Sequence, residues 1–276
     1  EPGQNGLIVG EAVKGTRQNI VLATKFHYAP EDYADRTDLY MSVRRHLDAS
    51  MKRLQTEYID LYYLHRVNPN VSVERTAEVM DRLIREGLIG GWGLSQVSLE
   101  TLKKAHEVTP VTAVQNLYNI LERDCEEDIF PYCMENNIGV VPFSPIASGF
   151  LSGKITAQTE FEKVDDVRNW VPQLTKENIR GNQPILDIVK EYALKKDATP
   201  AQISLAWMLH KYPNAVPIPG SKNHERIIEN LSADTVELTN EEFTAMDNKL
   251  SACKVYGHRG HVEDEGHGFL KKEPLR

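Results

Sequence analysis

Short apolar runs alternate with longer amphipathic stretches along the chain. The runs are rich in β-branched and aromatic residues and predict six strands, at residues 20–25, 58–64, 89–94, 111–114, 138–143 and 215–218. The apolar character of these runs is nearly continuous, which is typical of parallel strands that are buried on both faces. The pattern therefore predicts an α/β fold in which helices cover a parallel sheet.

Between the runs, apolar positions recur at the spacing of one helix face. Two segments carry such a stripe: residues 37–56, with Leu39, Val43, Leu47, Met51 and Leu54, and residues 72–86, with Ala77, Met80, Leu83 and Ile84. Two later helices are predicted to begin with a capping box, formed by Thr199 with Gln202 and by Thr239 with Glu242. Pro200 follows the first of these caps, where a proline suits the first helical turn.

Six strand–helix units follow one another without a change of composition, so residues 1–276 are expected to form a single domain. The expected architecture is a (β/α)8 TIM barrel rather than a doubly wound sheet. The chain opens with a stretch that reads as a loop entering a helix, so the first two strand–helix units are expected to be absent and the domain to be N-terminally incomplete. Residues 155–181 are predicted to form a lid-like loop, and residues 251–276 a polar C-terminal tail.

Composition narrows the classes of partner. The 276 residues carry a formal net charge of −8, which argues against nucleic acid or an anionic membrane as the partner but allows a small anion at a local cationic site. No apolar run approaches the roughly 20 residues that a membrane helix needs, and no signal peptide opens the chain, so a cytoplasmic location is expected. Cys125, Cys133 and Cys253 form no CxxC pair and are predicted to be free packing thiols.

Polar residues follow the predicted strands at the ends where barrel enzymes carry their active sites. Lys25 and His65 end the first two runs, Ser95 and Gln96 follow the third, and Gln115 follows the fourth. Each has an ordinary structural alternative, such as a surface lysine with a buried stem or a hydrogen-bonded histidine at the edge of the core. Because all of them fall at one end of the expected barrel, together they indicate a site built from cations, amides and an imidazole.

This set of residues favours carbonyl chemistry over other classes. At these strand ends no His-x-His pair or carboxylate cluster suggests a metal, and no Gly-x-Ser-x-Gly elbow suggests a serine hydrolase. An imidazole can donate a hydrogen bond to a carbonyl oxygen as charge develops there, whereas a reducing equivalent has to come from a cofactor. The loop "SPIASGFLSGK", at 144–154, has backbone amides that could wrap a pyrophosphate, although it is neither a P-loop nor a GxGxxG turn.

Six landmarks in order resemble the aldo-keto reductase family over about residues 5–250: "VLATKF", "YIDLYYLHR", "GWGLS", "AVQNLYN", "VPFSPIASGFLSGK" and "IPGSKNHERIIEN". The resemblance implies a (β/α)8 barrel that binds NADPH without a Rossmann fold and transfers hydride reversibly between the nicotinamide and an aldehyde or ketone. It also implies that Lys25 and His65 are the catalytic lysine and histidine.

The resemblance assigns the cofactor residues as well. Ser95, Gln96 and Gln115 match the positions that hold the carboxamide, and Phe143 takes the place of the aromatic residue that stacks on the nicotinamide. The loop across the pyrophosphate contains Ser144, Ile146, Ser148, Leu151, Gly153 and Lys154. After the sixth run, Gly220 precedes a clamp on the 2′-phosphate formed by Ser221, Lys222 and Arg226, and Glu229 and Asn230 match the residues that read the adenine edge.

Two departures from the family pattern leave a second function open. The family's proton donor, a tyrosine shortly after an aspartate, belongs before residue 1, and neither Tyr28 nor Tyr118 stands in its place. Gly6 stands where the family commonly has Glu. We therefore expect a longer biological protein. The alternative function is a catalytically impaired NADPH-binding module with a regulatory or scaffolding role, since loss of a general acid typically costs ~10²–10⁴-fold in rate.

The sequence does not identify the substrate beyond a small aldehyde or ketone. It does not indicate the oligomeric state either. Loops after the strands would build the substrate pocket. Its aromatic wall could contain Phe26, Tyr28, Trp92 and Trp170, which could equally be packing residues. His258, His261 and His267 in the tail are too irregularly spaced to predict a metal site and fit better in a flexible or site-covering tail.

Overall fold

The computed structural model describes residues 3–34, 37–161, 163 and 166–259. These residues fall into two units, of which the first contains residues 3–115 and 135–138 and the second contains residues 116–134 and 139–259. His261 and His267, like the rest of the tail after residue 259, lie outside the described residues.

Four parallel strands form the sheet of the first unit. They are β1 (Ala23–Phe26), β2 (Ile59–Leu64), β3 (Ile89–Ser95) and β4 (Ala113–Gln115), and each pairs with the next along the chain. The register places Lys25 opposite Tyr63, and Tyr63 opposite Gly93. The strands are parallel because a helix connects each one to the next, so their carboxyl ends lie along one edge.

The helices of the first unit are α1 (Gln4–Ala12), α2 (Leu39–Leu54), α3 (Val73–Arg85) and α4 (Leu99–Val108). Asp38, Ser72 and Ser98 cap the last three, each accepting hydrogen bonds from backbone N–H groups of the first turn. The predicted stripe of α2 is buried throughout, and Ala77, Met80 and Leu83 of α3 are fully buried, whereas Ile84, the fourth member of that predicted stripe, is only partly buried.

The second unit contains one short strand, β5 (Gly139–Val140), and parallel bridges on either side of it. Val140 pairs with Ala215, and Phe143 pairs with both Leu117 and Ile218. The sixth predicted run is therefore paired, but as single bridges rather than as a regular strand. Prolines at 142, 217 and 219 explain this difference, because a proline has no N–H to give to a ladder.

The helices of the second unit are α5 (Ile129–Glu135), α6 (Lys176–Gly181), α7 (Gln183–Lys195), α8 (Pro200–Lys211), α9 (His224–Leu231) and α10 (Asn240–Ser251), of which α5 ends on a residue of the first unit. Both predicted capping boxes are present, at Thr199 with Gln202 and at Thr239 with Glu242. The predicted α/β class, with parallel strands alternating with helices as in a (β/α)8 barrel, is confirmed. No helix in the described ranges is both long and apolar enough to cross a bilayer.

The predicted lid-like segment, 155–181, contains short helices rather than a plain loop. Two 3-10 turns, Val167–Trp170 and Pro172–Leu174, precede α6. The described part of the tail is held directly after this segment, because the side chain of Asn182 donates to the carbonyl of Tyr256 and accepts from its N–H, at 2.9 Å in each case. The tail thus begins as an ordered strap on the second unit.

Candidate active site

The polar residues that the sequence places at strand ends do meet along one edge of the first unit. Lys25 lies on β1, His65 follows β2, and Ser95 ends β3. The N–H of His65 donates to the carbonyl of Phe26 at 2.9 Å, which fixes the end of β2 against the end of β1. At the other side, the N–H of Gln96 donates to the carbonyl of Gln115 at 3.0 Å.

Lys25 lies in a partly desolvated position. Burial is the largest cause that lowers the pKa of its ammonium, and the positive charge of Arg66 lowers it further. The ammonium nitrogen lies 5.9 Å from the ring centroid of Tyr63. The Tyr63 hydroxyl is buried without a hydrogen-bond partner in the part of the chain that the structure describes, and burial raises its pKa, so this phenol stays protonated.

His65 is held as a neutral imidazole. Burial, followed by the nearby His27, Arg66 and Lys25, lowers its pKa to about 3. At neutral pH the ring therefore carries one N–H donor and one lone pair. Such a neutral ring can donate a hydrogen bond to a carbonyl oxygen. Unlike an imidazolium, it does not act as an acid.

Arg66 follows His65 at the end of the second predicted strand, and the sequence prediction gave it no role. Its side chain is almost fully buried, and one guanidinium nitrogen donates to the His65 carbonyl at 2.5 Å and to the Ser95 hydroxyl at 3.0 Å. The guanidinium thus joins the ends of β2 and β3 and supplies much of the positive field on Lys25 and His65. An arginine directly after an apolar strand and a candidate catalytic histidine was the available signal.

Ser95, Gln96 and Gln115 are all buried at this edge. Gln96 has a φ of 58°, in the left-handed region that residues other than glycine rarely occupy. Strain of this kind persists only where the surroundings impose it, and it concentrates at functional sites. The chain bends away from β3 at Gln96, the first of the two candidate amide side chains.

A cleft of about 1020 Å³ lies in the second unit. Its described lining carries five lysines or arginines and two carboxylates, a formal excess of three positive charges in a chain whose net charge is −8. The charged residues are Lys154, Lys163, Arg168, Lys222, Arg226, Asp166 and Glu229.

The predicted pyrophosphate loop forms one wall of this cleft. Ser144, Ile146, Ser148 and Lys154 line it, whereas Phe143 and Gly153 are not among the lining residues and Leu151 is fully buried. The N–H groups of 147, 148, 149 and 151 donate within the loop itself. The loop therefore presents side-chain hydroxyls and an ammonium to the cleft, while those four amides hold its shape.

Asn119 anchors the start of this loop and was not predicted. Its side-chain amide is buried and donates to the Ser144 carbonyl at 2.9 Å, and its oxygen accepts from the N–H of Leu121 at 2.8 Å. Ser144, Ala147 and Ser148 all have positive φ, a conformation that needs support of this kind.

The second wall is the segment from Gly220 to Asn230, in which every predicted residue lines the cleft. Asn223 caps α9 by accepting from the N–H of Arg226 at 2.9 Å, and Ser221 accepts from the N–H of Asn223 at 3.1 Å. Among the described residues, no carboxylate pairs with the Lys222 ammonium or the Arg226 guanidinium, and both side chains are exposed. Two unpaired cations thus face the same cleft.

Glu229 is fixed from two directions. Its carboxylate accepts from the Thr199 hydroxyl at 2.7 Å and lies 3.9 Å from the Lys154 ammonium. Thr199 is also the cap of α8, so one hydroxyl connects the start of that helix to the wall of the cleft. Glu229 is therefore a rigid hydrogen-bond acceptor. Its negative charge reduces the positive charge of the cleft on the side of Lys154 only.

The predicted lid segment supplies further lining residues that were not named individually from the sequence. Lys163, Asp166, Val167 and Arg168 line the cleft. The Arg168 guanidinium binds both oxygens of Asp166, and this pairing is the largest cause that lowers the pKa of that carboxyl to about 2. The charge of Arg168 is thus largely neutralised within its own turn.

Several other residues near the strands have structural positions. Phe26, Tyr28 and Trp92 are buried packing residues, while Trp170 is exposed. Asp60 accepts from Arg17 at 2.6 Å and from the N–H of Leu22 at 2.9 Å, so it ties the start of β1 to β2.

Neither tyrosine considered as a stand-in for the proton donor is free. The Tyr28 hydroxyl contacts that of Thr76 at 3.0 Å, and the Tyr118 hydroxyl donates to Glu126 at 2.6 Å. Cys125 and Cys133 are free and buried, and burial raises the pKa of each thiol to about 12. The packing role predicted for these two thiols is confirmed.

Comparison with known proteins places the chain in a family. The model of the Aldo/keto reductase family matches residues 1–251. "Probable aldo-keto reductase 1" of Glycine max is 36% identical over 260 residues, which are 92% of this chain and 74% of that protein.

Solved structures agree with this assignment. An aldo/keto reductase from Klebsiella pneumoniae, in complex with NADP and acetate, is 26% identical with a TM-score of 0.70 over 94% of this chain and 80% of its own. The glycerol dehydrogenase AKR11B4 of Gluconobacter oxydans is 25% identical with a TM-score of 0.80 over 99% of this chain and 81% of its own. The chain therefore belongs to the aldo/keto reductase family, a family of oxidoreductases.

Proposed function

We propose that this protein reduces an aldehyde or ketone to the corresponding alcohol with NADPH, in a reversible reaction. One observation carries the proposal: an acidic chain concentrates an excess of three positive charges in one cleft, including two cations without an ion-pair partner among the described residues. A phosphate-rich cofactor satisfies such a site, because each unpaired cation then gains a charge-assisted hydrogen bond.

The residues of the cleft fit the phosphates of NADPH. We assign the 2′-phosphate to Ser221, Lys222 and Arg226, since a guanidinium binds phosphate through two parallel donors and stacks on a flat ring. Glu229 and Asn230 are assigned to the adenine edge, for which a rigid carboxylate acceptor is suited. The hydroxyls of Ser144 and Ser148 and the ammonium of Lys154 are assigned to the pyrophosphate, with Gly220 and Ile146 in the wall, whereas Leu151 and Gly153 belong to the loop without lining the cleft.

At the edge of the first unit, we assign the carboxamide of the cofactor to Ser95, Gln96 and Gln115. Phe143 is assigned to stacking on the nicotinamide, as the family resemblance implies. When bound, the cofactor would supply a hydride to the carbonyl carbon, and a general acid would give the oxygen its proton and become the conjugate base. The neutral His65 donates a hydrogen bond to that oxygen, and the charge of Lys25 favours the ionised form of a neighbouring acid.

Known relatives support the choice of cofactor. Two structures of aldo/keto reductases from Klebsiella pneumoniae contain NADP or NADPH, at 26% identity and TM-scores of 0.70 and 0.68. Similarity at this level supports a shared cofactor class and leaves the substrate of this protein to be found by experiment.

The test is a pair of cofactor titrations on an arginine variant and its matched control. Arg226→Gln is expected to weaken NADPH binding by about tenfold or more, while NADH binding stays unchanged, because charged hydrogen bonds are each worth about 1.5–3 kcal/mol. Arg75→Gln is the control, since Arg75 is also the third residue after a helix cap, exposed, and donates its backbone N–H to that cap. Fluorescence titration of each variant with both nucleotides measures the dissociation constants. Equal losses for NADPH and NADH, or an equal loss in Arg75→Gln, would contradict the assignment.

A further inference from the structure

His27 is an exposed imidazole at the candidate active site that neither the sequence prediction nor the proposed mechanism uses. It follows β1 and lies two residues after Lys25, so strand alternation directs both side chains to the same side of the sheet. Phe26, between them, points to the other side and packs on Tyr62 and His46. The ring centroid of His27 lies 4.2 Å from that of His65, with the planes inclined by 50°. The two imidazoles are therefore in contact.

Neither imidazole forms a hydrogen bond with any residue that the structure describes, and His27 remains accessible. A pair of adjacent rings with unused nitrogens at the carboxyl edge of the strands is a binding surface for a ligand with two polar atoms close together. The hydrogen-bond capacity of the pair has no structural use in the described protein, which distinguishes it from His46. The ring of His46 bonds to the buried carboxylate of Asp32 at 2.7 Å.

Partial desolvation and the groups around it keep His27 neutral. The titratable groups that face it are Lys25 on its own strand, His65 and Arg66 at the end of β2, and His46 on α2. Partial desolvation is the largest cause that lowers the pKa of His27, and Arg66, His46 and Lys25 lower it further. A neutral imidazole offers one donor and one acceptor, which matches a hydroxyl group, whereas a carboxylate only accepts.

We propose that His27 and His65 form a two-imidazole subsite that selects carbonyl substrates carrying a hydroxyl on the carbon next to the carbonyl. In this arrangement His65 donates to the carbonyl oxygen and His27 bonds to the neighbouring hydroxyl. The two oxygens of such a substrate lie on adjacent carbons, and the two rings that would bind them are in contact. This inference rests on the proposed function, because it assigns the carbonyl oxygen to His65.

Glycolaldehyde and propanal test the subsite, since they differ only in a hydroxyl that replaces a methyl group. His27→Phe keeps a ring against His65 and removes both nitrogens, whereas His27→Asn keeps a donor and an acceptor. His210→Phe is the control, because His210 packs on Phe243 of α10 and belongs neither to the proposed subsite nor to the assigned cofactor site. We expect His27→Phe to lower kcat/KM for glycolaldehyde by about tenfold, mainly through KM, and that for propanal by less than about twofold. His27→Asn is expected to recover part of the loss.

The outcomes separate this inference from the proposed function. If the unmodified protein oxidises NADPH with neither aldehyde, the proposed function fails and the subsite fails with it. If the protein is active but His27→Phe lowers kcat/KM equally for both aldehydes, or for neither, only the subsite is overturned.

A binding measurement gives a second readout that does not depend on turnover. With NADP⁺ present, ethylene glycol is expected to shift the ring ¹⁵N resonances of His27, whereas 1-propanol is expected to leave them in place. Equal shifts with both alcohols, or none with either, would contradict the subsite.

Discussion

At the scale of single residues, the candidate active site is defined by its unbalanced charge. Lys25 and Arg66 are cations, and they add to burial, the largest cause, in lowering the pKa of His27 and of His65. No carboxylate contributes to the pKa of Lys25, His27 or His65 among the described residues. This edge is therefore suited to stabilise negative charge that develops on an oxygen.

Lys25 should be needed for turnover and not for cofactor binding. Lys25→Met is expected to lower kcat/KM by roughly 10²-fold or more, since it removes the charge that favours ionisation of a neighbouring acid. The dissociation constant for NADPH should stay within about twofold. Lys104→Met is the control, because Lys104 is an exposed lysine paired with Glu100 on α4. Steady-state kinetics beside a fluorescence titration make the comparison. A Lys25→Met protein with unchanged kcat/KM would remove Lys25 from the mechanism.

Much of the site could be predicted at this scale because strand ends are visible in the sequence. Lys25, His65 and Ser95 each follow an apolar run, and the segment from Gly220 to Asn230 follows the sixth. Arg66 and His27 were missed for a physical reason. Their importance depends on the neighbouring strand, through a bond to Ser95 in one case and a contact with His65 in the other, and one chain segment cannot show what lies opposite it.

At the scale of elements, helix starts were the most predictable feature. The capping boxes at Thr199 and Thr239 depend only on residues three apart, and both form as predicted. Strand lengths were less predictable, because prolines reduce the sixth run to single bridges. The lid-like segment was predicted as irregular, and its short helices arise from local caps such as Asp166 and Thr175.

The C-terminal strap is an element that composition alone did not reveal. After α10 the chain is held at Tyr256 by Asn182, a residue with no exposed surface. His258 then lies between two carboxylates, with its Nδ1 2.9 Å from Glu122 and its Nε2 3.2 Å from Asp124. These contacts are the largest cause that raises the pKa of His258 to about 10.

The strap should therefore weaken at high pH. Because the pKa of His258 is higher in the folded protein than the unfolded value of about 6.5, its contribution to stability is complete below pH 6.5 and is lost as pH rises towards 10. We expect the free energy of unfolding to fall over this range by about 2 kcal/mol more in the unmodified protein than in His258→Gln. Urea titrations at pH 6.5, 8 and 10 measure the difference, with His210→Gln as the control. Parallel pH profiles for the unmodified protein and His258→Gln would contradict this role.

At the scale of the whole molecule, the charge of the cleft is opposite in sign to the net charge of the chain. The chain is acidic overall, yet the cleft of the second unit collects lysines and arginines from the loop after β5, the lid-like segment and the segment from Gly220 to Asn230. Local cationic sites in acidic proteins attract small anions without attracting nucleic acid. The central claim, that this protein is an NADPH-dependent carbonyl reductase, rests on that contrast.

The most direct test of this claim is the aldehyde-dependent oxidation of NADPH by the purified protein, followed by absorbance, with NADH as the comparison and benzaldehyde as the substrate. We predict turnover that depends on the aldehyde and is faster with NADPH than with NADH at equal concentration. Saturable NADPH binding without any aldehyde-dependent oxidation, over a panel of aromatic and aliphatic aldehydes, would contradict the account and would leave a protein that binds the nucleotide without reducing a carbonyl.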